Sequence, residues 1–163
     1  MIDSATGKII FDDGAAIDPQ ITRAAFLTSV LGLNRVVSTS PAPNPWSNIS
    51  IASRAMDGLA LLFGARLYFN GEQLAFLNLW QIDPGKPKSW DDWSLDAEIA
   101  EQKRNEAWLA SFLGPPHETF PRGEFPDGTT YKFAWGEISS SYDPRSAQTL
   151  LTVSYHPPEV AAR

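Results

Sequence analysis

The chain has no cysteine and, across 163 residues, only two histidines and two methionines. The missing thiol excludes disulfide stapling and thiolate metal sites, and it fits a reducing compartment, so a cytoplasmic location is expected. The histidines, His117 and His156, fall in a Pro-rich loop and at a strand end, outside any triad, H-E-x-x-H or H-x-E pattern. There is no Walker loop, no G-x-G-x-x-G and no D-x-D-x-D-G calcium loop, so the sequence nominates no catalytic residue, metal ligand or cofactor. Positive charge is also short: 13 Lys and Arg stand against 19 Asp and Glu, a net charge of −6. That balance argues against nucleic acid or an anionic membrane as partner and leaves room for a basic protein. No apolar run approaches membrane-spanning length, and the opening MIDSATGKII lacks the basic-then-apolar order of a secretory signal.

What remains is a globular composition, 43% hydrophobic and 20% charged, at a length that suits one domain spanning 1–163. The strongest local signal is a helix between Ser89 and Gly114. Good helix formers fill Leu95 to Leu113, Ser89, Asp92 or Ser94 can cap the start, and Gly114-Pro115-Pro116 stops it. Trp93, Ala97, Ala100, Ala107, Trp108 and Ser111 recur at three- and four-residue steps, and Leu109, Phe112 and Leu113 widen that face near the C-terminal end, which predicts a face packed on a sheet. Asp91, Glu98, Glu101, Gln102 and Asn105 fall mostly outside it, which predicts a wet, acidic outer face.

Period-two alternation from Leu61 to Phe69, followed by Asn70-Gly71, predicts a hairpin with a type I′ turn. That turn sets Leu67 opposite Leu74, Ala65 opposite Phe76 and Leu61 opposite Trp80 as one apolar face. Asp18-Pro19 reads as the entry of a short helix from about Gln20 to Val30. Residues 38–47 form a Pro-rich loop, 115–130 a second loop, and 157–163 a frayed tail. Tyr131 to Tyr142 and Thr149 to Tyr155 complete a second hairpin. The expected fold is a single α+β domain: an antiparallel sheet of about five or six strands, the long helix across one face, and a shorter N-terminal helix.

The phrases IDSATGKIIFDDG, LYFNGEQL, SWDDWS…WLASFLG and FAWGEISSSYDPRS, in that order, resemble a group of small bacterial proteins. Their shared pattern is an Ile-Asp-x-x-Thr-Gly start, a Trp-Asp-Asp-Trp-Ser helix, a Trp-Gly-Glu/Asp strand and a Tyr-Asp-Pro turn. The group brings no activity with it. Small, acidic, cysteine-free α+β proteins of this type look like those encoded beside bacterial polymorphic toxins, some of them immunity proteins, so the resemblance implies an antidote role by analogy.

Asp91, Asp96, Glu98 and Glu101 are therefore candidates to steer a basic bacterial partner; the plain alternative is helix capping and a solvated face. Trp46, alone in the Pro-rich loop, is either an exposed anchor or a side chain pinning that loop to the core. Trp90, Trp93, Trp108 and Trp135 read as core or as an aromatic pocket. The leading expectation is a non-catalytic protein-binding module of the immunity type. An enzyme with a hidden carboxylate or histidine site, or a binder of a small apolar ligand, remains the alternative.

Overall fold

A computed structural model describes residues 1–40, 45–56, 62–82, 91 and 93–156. Two antiparallel meanders build one sheet. The first runs through β3 (Val36–Thr39), β4 (Trp46–Ala55), β5 (Leu62–Asn70) and β6 (Gln73–Ile82); the second runs through β7 (Glu118–Arg122), β8 (Phe125–Phe133), β9 (Gly136–Asp143) and β10 (Gln148–Tyr155). Helix α3 (Leu95–Leu113) joins them, and β6 pairs with β10 at the centre, giving the order β3-β4-β5-β6-β10-β9-β8-β7. A separate two-stranded ribbon pairs β1 (Ile9–Ile10) with β2 (Ala16–Ile17).

The α+β class and the antiparallel sheet agree with the sequence, but among the described residues the main sheet has eight strands rather than five or six. The additional ones came from stretches read as loop. β7 and the start of β8 lie in the Pro-rich 115–130 stretch, where an edge strand tolerates Pro121 because its outward N–H side needs no partner. The segment read as one strand from Tyr131 to Tyr142 is two, turning at Ala134-Trp135. Gly136 has φ 153°, and a Cβ there would lie 1.9 Å from the backbone oxygen of Ser154.

Pairing at the first hairpin also differs from the expected register. Leu67 faces Leu77 and Ala65 faces Leu79, and one extra residue opposite Tyr68/Phe69 then sets Phe69 against Leu74. The loop is Gly71-Glu72, with φ of 60° at Gly71 and no positive φ at Glu72, so the type I′ expectation is replaced by a turn with one left-handed position. Tertiary contacts explain the choice: Glu72 accepts the N–H of Arg23 on its carbonyl at 2.9 Å and that of Ala24 on its carboxylate at 2.9 Å. The loop thereby satisfies the start of α1. The bulge sends Phe76 and Trp80 to the opposite face from Leu74.

Near the N-terminus, helix formation starts later than Asp18-Pro19 suggests. Asp18 instead accepts from the Gln20 N–H at 3.0 Å, and α1 (Arg23–Thr28) and α2 (Val30–Arg35) are capped by Thr22 and Ser29. Gly32, beyond the expected helix end at Val30, lies inside α2. One face of the sheet buries Ile49, Ile51, Phe63, Leu67, Phe69, Leu77, Leu79, Ile138, Leu151 and Val153. Ile2, Ile9, Phe11, Ile17 and Phe26 from the N-terminal elements join the same core, and α3 crosses β9 and β10. Residues 41–44 of the Pro-rich loop and the tail 157–163 lie outside the described residues.

Candidate functional site

Ser94 caps α3 by accepting the Ala97 N–H at 3.2 Å, and Gly114 ends it with φ 79°, as the sequence indicates. Its faces are another matter. Trp93, Ala97, Ala100, Ala107 and Ser111 are exposed, while Glu98, Glu101, Gln102 and Asn105 are turned inward with only 1–3% of their surface accessible. Of the residues assigned to a wet acidic face, Asp91 and Asp96 are exposed and Glu98 and Glu101 are not. The continuous patch is a misreading of which stripe faces the sheet.

The reason lies in the strands beneath. Pairing of β10 with β6 runs from Ser154↔Phe76 to Leu151↔Leu79 and stops; carried two residues further, it would set Thr149 opposite Gln81. Pairing of β8 with β9 stops at Thr129↔Ser140; carried on, it would set Tyr142 opposite Asp127. Thr149 and Tyr142 face each other across the β9–β10 hairpin, so their N–H groups point outward into two gaps where neighbouring strands have diverged. Helix α3 fills both. Glu98 accepts the Thr149 N–H at 2.6 Å and, through its backbone carbonyl, the Thr149 hydroxyl at 2.7 Å. Gln102 accepts the Tyr142 N–H at 3.1 Å and donates to the Asp127 carbonyl at 2.7 Å, bridging β8 and β9 in place of a ladder bond. One turn on, Asn105 accepts from Gln81 at 2.8 Å. Buried backbone donors require partners, and here side chains supply them. The apolar part of the interface comes next, where Trp108 packs on Phe63 with ring centroids 4.8 Å apart.

The three described members of the tryptophan group, Trp93, Trp108 and Trp135, do not converge. Trp93 is 42% exposed and donates to the Ala147 carbonyl at 2.8 Å. Trp135 stacks on Phe133 at 4.9 Å and 6°, with its N–H on the Ser4 carbonyl at 2.9 Å. Trp108 lies in the core, and Trp90 lies outside the described residues. Neither histidine is enclosed: His117 and His156 are both exposed, and the His117 Nδ1 accepts the Lys132 N–H at 2.8 Å.

Trp46 is different. It begins β4 and is 53% exposed, on the sheet face opposite α3. Phe76 lies 6.1 Å from it and stacks in turn on Tyr68 at 4.3 Å and 14°. Farther along that face, Trp80 covers Gly64, whose missing side chain makes the room. Arg66 stands between the two aromatic groups and donates to the Ser50 hydroxyl at 2.9 Å. Period-two reading had put Phe76 and Trp80 in the core, so this half-exposed aromatic surface was not foreseen beyond Trp46; only the bulge reveals it.

No family model, no curated protein and no solved structure matches this chain.

Proposed function

We propose that this chain is a non-catalytic protein-binding module of the immunity or antidote type, acting on a more basic bacterial partner. Trp46 carries the reading. A tryptophan more than half exposed, backed by Phe76 and Tyr68 on an open sheet face, is the kind of large, pre-positioned anchor that dominates interface energy. The net charge of −6 and the exposed Asp91 and Asp96 support a basic partner through long-range steering. Asp96 lies in the first turn of α3, on the sheet face opposite Trp46, so it acts on encounter rather than within the anchored contact.

The test is capture of a partner from host lysate with wild-type protein and with Trp46→Ala, followed by affinity measurement for what is retained. Loss of a buried tryptophan anchor weakens binding by about 2 kcal/mol or more, some thirtyfold. If Trp46→Ala retains the same partner with unchanged affinity, the open face is not the docking surface.

A further inference from the structure

The turn between β7 and β8 meets the turn between β9 and β10 in a shallow cleft of about 600 Å³, lined by Pro121, Arg122, Phe125, Asp143, Pro144 and Arg145. Although the chain is acidic overall, two arginines and one aspartate leave this cleft with positive charge in excess. Its wall is built in advance. Asp143 accepts from the Arg145 N–H at 3.0 Å and from the Ser146 hydroxyl at 2.9 Å, closing the turn on itself. Arg122 gives one N–H to the Tyr142 carbonyl at 2.8 Å, which orients its guanidinium, and the Phe125 ring lies 4.9 Å from that of Tyr142. Among the described residues the Arg145 guanidinium has no hydrogen-bond or ion-pair partner, and Arg122 keeps its other donors. Guanidinium forks with unspent donors beside apolar walls match the paired oxygens of carboxylate and phosphoryl groups.

We propose that this cleft binds a small organic oxyanion, a carboxylate or phosphoryl group carried on a flat apolar body. The two arginines take the oxygens, and Phe125, Pro121 and Pro144 take the body. Asp143 opposes the ligand's charge but its oxygens are committed to the turn, so the site favours anions whose apolar part adds binding of its own.

The experiment is amide chemical-shift titration with phenyl phosphate, benzoate and inorganic phosphate at constant ionic strength. Saturating shifts confined to Arg122, Phe125, Arg145 and Ser146 are expected from phenyl phosphate or benzoate, with the stronger of the two identifying the preferred head group. Inorganic phosphate binds at least about tenfold more weakly for want of the apolar body. Arg145→Gln removes exposed donors without touching the turn's backbone and weakens binding by about tenfold or more. Lys103→Gln, the same charge change on the exposed side of α3, leaves affinity within about twofold, since exposed charges at a distance are screened. Shifts that do not saturate, inorganic phosphate binding as tightly as phenyl phosphate, or equal weakening by Lys103→Gln would each overturn the proposal.

Discussion

Replacing Gln102 with Leu tests whether the polar inner stripe of α3 holds the sheet together where β8 and β9 part. Leucine nearly preserves the volume, so packing changes little and the hydrogen bonds decide the outcome. Gln102 is 1% exposed and serves the Tyr142 N–H, the Asp127 carbonyl and the Glu106 carboxylate. Exchanging a buried polar pair for apolar groups is often harmless, but only when both partners change. Here two partners are backbone groups and no substitution removes them. Tyr142 is buried, so its stranded N–H costs about 1–3 kcal/mol; Asp127 is exposed and its carbonyl recovers water, costing under about 1 kcal/mol. The variant is therefore less stable by about 1–4 kcal/mol, a fall of roughly 2–16 °C in midpoint for a chain of this size. Urea unfolding measures the first quantity and a thermal melt the second. Hydrogen exchange adds a local signature, because the Tyr142 amide should lose protection more than the amides of β4 and β5. A variant within about 0.5 kcal/mol of wild type, with Tyr142 still protected, refutes the gap-filling role.

Charge reversal separates the two halves of the supposed acidic face. Asp96→Lys should cost no more than about 1 kcal/mol, because the residue is exposed in the first turn of α3 and loses only a helix-terminus interaction. Glu98→Lys places an ammonium against the Thr149 N–H in a position 3% exposed, and a loss of about 3–5 kcal/mol or outright failure to fold is expected; equal, small effects in urea unfolding would restore the surface reading. At Asp143, partial burial pushes the carboxyl pKa up, but hydrogen bonds from Arg145 and Ser146 and the charge of Arg122 outweigh it and hold the pKa below the ordinary 3.8. Its stabilising effect is complete above that value and is lost as pH falls through the lower folded value. The stability difference between wild type and Asp143→Asn should thus shrink on acidification below about pH 4, and a difference independent of pH would remove the assignment.

Local chemistry alone determined a good deal. The α3 boundaries follow from Ser94, the run of helix formers and Gly114-Pro115, because capping and φ limits act within a few residues. A hairpin centred on Gly71 follows in the same way, as does the α+β class. Tertiary structure decided the rest. Which stripe of α3 faces inward could not be read from hydrophobicity, because the sheet presents two gaps with unpaired N–H groups, and Glu98 and Gln102 answer them better than Ala97 or Ala100 could. The strand register at Gly71 depended on Glu72 meeting the first turn of α1, a contact 48 residues away in sequence. One bulge opposite Tyr68/Phe69 then exchanged the faces of Phe76 and Trp80, because side chains alternate along a strand and a single added residue inverts every position beyond it. The edge strands β3 and β7 were hidden for a related reason: an edge needs partners on one side only, so prolines and polar residues that read as loop can still pair.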